Sequence, residues 1–222
     1  MSIRLFILKI LFPMIVYGAV ESDINGIISN ISELSIDSIK INALNMNGLE
    51  RGIAEIFLAA SDKSPSIHTQ RAYDTLMSYC VDTNSALQLA LKGTAASLMA
   101  RDVNDDIKAT KYVGAALKDL DRAVALDKTN HIVRIYRINA LVEVPEIFKV
   151  NKRIKDDYEV LKKYCAKSGK EDWAAILAMA AAEYRFGKLA DAVKKWELIL
   201  KKVDKMTSDR NTAKKMMDMV YE

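Results

Sequence analysis

Residues 111–130 carry the clearest pattern of apolar and polar positions in the chain. Their apolar side chains recur at intervals of three and four residues, at Val113, Ala116, Leu117, Leu120, Ala123, Val124 and Leu126. That interval places them along one stripe and predicts an amphipathic helix with one buried face. Because the small Ala116 and Ala123 flank the larger Leu120, we expect a neighbouring helix to approach closely at both alanines and to pack around the leucine.

A similar triplet of a small or aliphatic, a large and an aliphatic residue recurs along the chain. It stands at Ala72, Leu76 and Tyr79, at Ile154, Tyr158 and Leu161, and at Ala192, Trp196 and Ile199. This spacing predicts an all-α protein of four helical hairpins, near residues 48–80, 84–126, 131–165 and 171–205, with a closing helix at 209–220. One amphipathic hairpin cannot bury its apolar face alone, whereas stacked hairpins form a continuous core.

Two of these segments carry the motif of a known repeat. One is the A-x3-L-x2-A helix that ends in ALDKTN; the other is YRFGKLADAVKKWELIL, with a turn glycine at Gly187 followed by Ala192 and Trp196. Over residues 107–130 and 171–203 they resemble the tetratricopeptide (TPR) repeat, although Lys128 stands where that repeat usually has proline. The resemblance implies an α-α superhelix, a TPR-like solenoid.

Capping and turn residues predict where the helices begin and end. Asn47 and either Asn84 or Ser85 precede apolar-periodic segments as N-cap residues, and a helix that reaches Cys80 is expected to start at Ser66. Pro145 interrupts the third hairpin, because the residue before a proline avoids the helical region. The DKSP segment at residues 62–65 is expected to form the turn between the first two helices of the repeat region.

A lead-in of residues 19–47 precedes the repeat domain, which we assign to residues 48–222. Ile24, Ile27, Ile28 and Ile31 have helical spacing and predict a helix at its start. Residues 35–47 alternate only loosely between apolar and polar, and we expect an irregular link there.

The first 18 residues have the order of an export signal. Arg4 and Lys9 supply positive charge, residues 10–17 are apolar, and small residues precede a cut before Ala19. The apolar run is shorter than the roughly 20 residues that span a bilayer. We therefore expect a soluble, exported protein, periplasmic and without a lipid-attachment cysteine. The alternative is membrane anchoring by an uncleaved N-terminal segment.

Composition and charge argue against several classes of function. Half of the 222 residues are hydrophobic and 28% are charged, with only eight Gly and three Pro, which is typical of a helix-rich globular protein. The net charge of +4 is too small to indicate nucleic-acid binding by itself. Residues 151–222 carry the excess, with 17 Lys and Arg against 12 Asp and Glu, which solvated helix faces explain.

Residues with catalytic or metal-binding chemistry are sparse. His68 and His131 are the only histidines and stand in different hairpins, so four converging zinc ligands are not expected. The ARDVNDD segment lacks the glycine and closing glutamate of a calcium loop, and we expect it to cap the next helix. Cys80 and Cys165 lie two hairpins apart and are predicted to be unpaired, buried small residues. We predict no cofactor, no metal and no enzymatic activity.

Arg134 and Arg137 are the most unusual pair, since they share one helix face within an apolar run. With Tyr136 and Asn139 they form our candidate binding residues. One interpretation is structural, with Asp119, Asp121, Asp156 or Asp157 as carboxylate partners that clamp adjacent hairpins. The functional interpretation is a fork that receives a carboxylate from a peptide or small acid. One interpretation of Tyr136, Tyr184 and Trp196 is that they line a groove, but aromatic groups at helical spacing are more typical of a core, and Trp196 is assigned there.

The segment SLMARD…ALKDLDRAVALD…VRIYRINALVEVPEIF resembles a group of exported bacterial TPR-like proteins in which these arginines, the proline and the phenylalanine recur. We therefore predict an exported scaffold that receives a protein or peptide, without nucleic-acid binding and with possible association with envelope components. The alternative is a ligand-binding or accessory component of an envelope transport system, which a closed, ligand-sized cavity would favour. An enzyme would need a cleft with a perturbed acid or nucleophile. The partner and the oligomeric state stay open.

Overall fold

The computed structural model describes residues 22–32, 34, 36–46, 48–62, 65–81, 83–169, 171–203 and 208–221, and within them the protein is all-α without a strand. Its helices are α1 (Ser22–Ser32), α2 (Ile36–Ala43), α3 (Gly48–Ser61), α4 (Ile67–Tyr79), α5 (Ala86–Asp102), α6 (Asp106–Leu126), α7 (His131–Leu141), α8 (Asn151–Ser168), α9 (Trp173–Arg185), α10 (Leu189–Lys202) and α11 (Ser208–Tyr221). A short 3-10 helix, Glu146–Phe148, lies between α7 and α8. The proposed export signal, its cut before Ala19 and the Asn47 cap lie outside the described residues.

Neighbouring helices pack in pairs: α3 with α4, α5 with α6, α7 with α8 and α9 with α10. These pairs fall at the four predicted hairpin positions, and α11 packs on α10 and α9 as the predicted closing helix. The all-α prediction is therefore confirmed, and so is the pairing of neighbouring helices. The pairing follows from the sequence because two amphipathic helices joined by a short loop bury their apolar stripes against each other.

The irregular link predicted for residues 35–47 is wrong in its first part, where α2 forms. Ile39 and Ala43 lie four residues apart, are buried, and belong to the main core. Ile41 and Leu44 are 68% and 74% exposed. Apolar residues on both sides of α2 obscured its helical period in the sequence, and packing against α3 decides which side is buried.

Side-chain caps define most helix starts in the repeat region. Ser66, Ser85, Asp105, Asn130 and Asp172 each accept hydrogen bonds from backbone N–H groups in the first turn of α4, α5, α6, α7 and α9. Such caps satisfy donors that have no partner within the helix. The predictions of a helix start at Ser66, of Ser85 as one of two N-cap candidates, and of an aspartate cap in ARDVNDD are confirmed.

The first helices of the four pairs, α3, α5, α7 and α9, form a row in which consecutive members touch. The ends of α3 and α5 lie together, since Arg101 near the end of α5 donates to the Ala59 carbonyl near the end of α3 at 3.1 Å. The first helices are buried over most of their length, whereas the second helices bury one stripe each. We call the side at which first helices end and second helices begin the turn edge.

The contact between α5 and α6 shows how closely the paired helices approach. Gly93 on α5 faces Leu120 and the backbone of Ala116 on α6. A Cβ atom at Gly93 would lie 2.6 Å from Leu120 Cγ and 3.1 Å from the Ala116 carbonyl oxygen. The predicted close approach beside Ala116 and around Leu120 is therefore present, and it requires glycine on the partner helix.

The core has a main cluster over α1–α9 and a second cluster between α9, α10 and α11. Trp196 is fully buried in the second cluster, as its place in the triplet predicts. Cys80 is buried and Cys165 partly buried, and both are free thiols. None of the described helices is both long and apolar enough to cross a bilayer.

Candidate binding groove

The four predicted binding residues lie on two different sides of α7. Arg134 and Arg137 are three residues apart and share one side, and Tyr136 and Asn139 are three apart and share another. The two pairs are offset by two residues, which corresponds to roughly 200° around a helix. The structure therefore divides the predicted site into an arginine side and an asparagine side.

On the arginine side, a buried ionic cluster joins α7 to α8 and α6. Asp157 is fully buried and receives Arg134 Nη1 at 2.5 Å, Arg137 Nε at 2.7 Å and Arg137 Nη2 at 2.8 Å. Arg137 Nη1 also donates to Asp121 Oδ1 at 2.9 Å. Arg153 donates to the same Asp121 carboxylate, whose hydrogen bonds raise the pKa of Arg153 above its usual value.

The head groups of both arginines therefore bind partners within the protein. The partners are Asp157 and Asp121, two of the four carboxylates that the sequence offered, and Arg134 Nη2 additionally donates to the Lys128 carbonyl at 2.7 Å. The geometry matches the structural interpretation, in which the arginines join helices. A ligand-binding role for Arg134 and Arg137 stays a prediction that these contacts do not support.

On the other side of α7, two buried polar atoms have no hydrogen-bond partner within the described structure. They are the hydroxyl of Tyr136, which is 2% exposed, and Nδ2 of Asn139, which is 7% exposed. Tyr136 is part of the main core, and burial raises the pKa of its phenol well above the usual value. Asn139 lies one turn further along the helix, where α7 approaches the turn edge.

Asn139 lines the smaller of two clefts at the turn edge, which we call the first cleft. It lies between the ends of α5 and α7 and has a volume of about 50 Å³. Its lining is Ser97, Leu98, Ala100, Arg101, Val113, Asn139, Ala140, Glu143, Val144 and Pro145. The cleft is thus small, and its wall combines apolar groups with a buried primary amide.

The second cleft lies between the ends of α7 and α9 and is much larger, at about 730 Å³. It is open to solvent, and its surface is mostly apolar. Its lining is Val142, Glu143, Val144, Pro145, Glu146, Asn151, Ala181, Tyr184, Arg185 and Met219. Both clefts share Glu143, Val144 and Pro145, so they form one groove along the turn edge. A cleft of this volume has the size of a ligand or side-chain site.

Arg185 fixes the wall of the second cleft. Its Nε donates to Asn151 Oδ1 at 2.7 Å and its Nη1 to the Val142 carbonyl at 2.5 Å, at the end of α7. Its Nη2 lies 3.3 Å from the exposed carboxylate of Glu146. Burial lowers the pKa of Arg185. Pro145 ends the helical path after α7, and Arg185 satisfies a carbonyl that the interrupted helix leaves without an intrahelical partner.

Exposed aliphatic side chains mark the same edge, one in each hairpin, and the sequence analysis missed them. They are Ile67, Ile107, Ile147 and Leu189, exposed by 63%, 71%, 78% and 42%. Ile67, Ile107 and Leu189 stand in the first turn of a second helix, and Ile147 lies in the 3-10 helix that precedes α8. Their regular distance of about 40 residues was the signal in the sequence. Tyr184, in contrast, was named as a possible groove residue, and it lines the second cleft.

Groups with acid–base or nucleophilic chemistry are placed in structural contacts. Glu55 is buried and lies 2.5 Å from His68 Nδ1, and burial raises the pKa of Cys80 and of Cys165 to about 11. Thiols with raised pKa values are poor nucleophiles. Within the described ranges, no cluster of three His, Cys, Asp or Glu residues is arranged to hold a metal ion.

No protein-family model, curated protein or solved structure matches this chain. Function is therefore inferred from the geometry of the groove.

Proposed function

We propose that this protein is a TPR-like interaction scaffold whose turn edge receives a protein or peptide partner. The observation that carries this proposal is the second cleft, an open and mainly apolar depression of about 730 Å³ at the ends of α7 and α9. Exposed apolar surface of this kind is typical of partner-binding sites. The row of first helices, each touching the next, supports a TPR-like superhelix.

The open form of the second cleft favours partner docking over the alternative of a ligand-binding transport accessory. An enclosed cavity would bury most of a small ligand, whereas this cleft continues into the first cleft along one edge. A segment of polypeptide can follow such an edge from hairpin to hairpin. Ile147, which is strongly exposed, directly follows Glu146 of the second cleft in the chain and adds apolar surface beside it.

Buried ionic contacts between helices support a rigid surface. Asp157 joins α7 to α8, and Glu183 on α9 accepts from Tyr158 on α8 at 2.6 Å and from Lys195 on α10 at 2.7 Å. Arg185 ties α9 to the end of α7. A surface held in this way loses little conformational entropy when a partner binds, which favours affinity.

A library of random 12-residue peptides tests the docking proposal. The variant Met219→Lys introduces a charge at the apolar wall of the second cleft, and Asn211→Lys introduces the same charge at an exposed position of the same helix, α11. We expect the unmodified protein and Asn211→Lys to enrich the same peptides, and Met219→Lys to lose them at a temperature at which its own unfolding curve shows it to be folded, since Met219 also packs against the second core cluster. A library without enriched peptides, or peptides that Met219→Lys retains, would refute docking in this cleft.

Export is a separate part of the proposal and rests on the charged, apolar and small-residue order of residues 1–18. The N-terminal sequence of the protein recovered from its native envelope should begin near Ala19. Recovery from the cytoplasm with an intact Met1 would contradict export and would leave the docking proposal unaffected.

A further inference from the structure

The two clefts differ in chemistry although they share a wall. The first has about 50 Å³, room for a few water-sized groups at roughly 10–15 Å³ each, and Asn139 belongs to its wall. The second is more than ten times larger and mostly apolar. A partner that fills both must therefore present a small polar group next to a large apolar group.

Asn139 identifies the polar group as a hydrogen-bond acceptor. Its Nδ2 is a donor with almost no exposure to solvent and without a partner in the described structure. Buried donors are nearly always satisfied, so an unpaired one beside a cleft indicates an acceptor that comes from outside the chain. Across the cleft, the Ser97 hydroxyl donates to the Thr94 carbonyl at 2.8 Å.

The charges around the groove identify the acceptor as neutral. Glu143 lines both clefts and Glu146 lines the second. Arg101 lines the first cleft and Arg185 the second, but Arg101 donates to both carboxylate oxygens of Asp102, and the Nε and Nη1 of Arg185 donate to Asn151 and Val142. Because both guanidinium groups are engaged within the protein, a carboxylate or phosphate of a ligand would meet the carboxylates of Glu143 and Glu146 without a free arginine to pair with. A carbonyl oxygen accepts the same hydrogen bond without that repulsion.

We propose that the groove recognises an extended peptide segment through one backbone carbonyl and one neighbouring apolar side chain. The carbonyl accepts a hydrogen bond from Asn139 Nδ2 in the first cleft, and the apolar side chain fills the second cleft across the wall of Val144 and Pro145. An extended chain advances about 3.3 Å per residue and directs carbonyls and side chains differently, so adjacent residues can serve adjacent clefts. This inference rests on the proposed function and specifies the chemistry of its partner.

Backbone isosteres in an enriched peptide test the carbonyl contact. Each peptide bond in turn is replaced by an (E)-alkene, which removes the carbonyl together with the N–H and adds no charge. Affinity is measured for the unmodified protein and for Asn139→Leu, so that the part of the loss that depends on Asn139 is assigned to the carbonyl. At one position the alkene should weaken binding to the unmodified protein by about five- to tenfold, as expected for one hydrogen bond, and should cause no further loss with Asn139→Leu. Asn139→Asp, which replaces the donor by an acceptor, should bind the natural peptide no more tightly than Asn139→Leu does.

The two proposals fail in different ways. If peptides are enriched and depend on Met219, but every alkene has the same effect on the unmodified protein and on Asn139→Leu, the carbonyl contact is refuted and docking stands. If the library yields no peptide, both proposals are refuted. If unfolding curves show Asn139→Leu to be at least as stable as the unmodified protein, its loss of affinity is not due to a loss of fold. The alkene series on the unmodified protein does not depend on the stability of that variant.

Discussion

Replacement of Gly93 by alanine tests the close packing of α5 against α6, because two effects of opposite sign compete. Alanine favours an interior helix position over glycine by about 1 kcal/mol, so propensity alone predicts a more stable protein. The new Cβ, however, would lie 2.6 Å from Leu120 Cγ and 3.1 Å from the Ala116 carbonyl oxygen. Ordinary carbon–carbon contacts are at about 3.5–4.0 Å, so the overlap with Leu120 is about 1 Å.

Relief of this overlap requires a movement whose free-energy cost exceeds the gain in helix propensity from glycine to alanine. Leu120 is fully buried, and the Ala116 oxygen belongs to a helix backbone, so neither is free to move into solvent. Overpacking of this kind costs about 1–3 kcal/mol, and the backbone contact places Gly93 in the upper half of that range. After subtraction of about 1 kcal/mol for propensity, we expect Gly93→Ala to lower the free energy of unfolding by about 1–2 kcal/mol.

Gly114→Ala on α6 is the matched control, since nothing lies within 4 Å of the Cβ it would add. It should raise the free energy of unfolding by about 0.5–1 kcal/mol. Urea unfolding followed by helical circular dichroism separates the two, because a loss of 1–2 kcal/mol at a slope of roughly 2 kcal/mol per M lowers the midpoint by about 0.5–1 M. In a Leu120→Ala background, Gly93→Ala should lose most of its cost. The reasoning is refuted if Gly93→Ala stabilises the protein as Gly114→Ala does.

Three further perturbations address the buried groups. Arg137→Met leaves fully buried Asp157 with only Arg134, and should lower the free energy of unfolding by about 3 kcal/mol in urea titrations, whereas unchanged stability would revive a ligand-binding role. Trp196→Ala should cost about 3–5 kcal/mol, because the indole is fully buried, and a loss near zero would contradict its core position. Burial lowers the pKa of His131 below 6.5, so the unfolded chain binds its proton first as pH falls. Stability should therefore decline relative to His131→Phe below about pH 6.5, and parallel pH profiles of thermal unfolding would exclude this.

The predicted dependence of stability on pH involves two titrating groups in contact, His131 and Asp172. The ring of His131 stacks on Tyr164 with centroids 3.8 Å apart, and its Nε2 lies 3.7 Å from Asp172 Oδ2. Burial raises the pKa of Asp172, so this carboxyl contributes the opposite slope: it favours the folded state at low pH, and that contribution is lost as pH rises through its raised pKa. His131→Phe retains an aromatic ring over Tyr164, so the comparison reports the imidazole proton together with the effect of that charge on the pKa of Asp172.

Local signals in the sequence determined the helices and their pairing. The period of apolar residues, the cap at Ser85 and the interruption at Pro145 act within one or two helical turns, so they can be recognised without knowledge of the rest of the chain. The burial of Trp196 followed from its place in a repeated triplet. In α2, apolar residues on both sides of the helix obscured its period, so the sequence alone predicted neither the helix nor its buried side. Packing against α3 decides which side faces inward.

Only the tertiary structure decided what stands opposite each helix face. Helical spacing placed Arg134 and Arg137 together, but the choice of Asp157 and Asp121 among four carboxylates depends on how α6 and α8 are rotated against α7. The groove depends on even more distant segments, since the second cleft combines side chains from the ends of α7 and α9 with Met219 of α11. A hydrophobic period records that a face is buried; the volume left between faces is set by side chains far apart in the chain, and no local pattern encodes it.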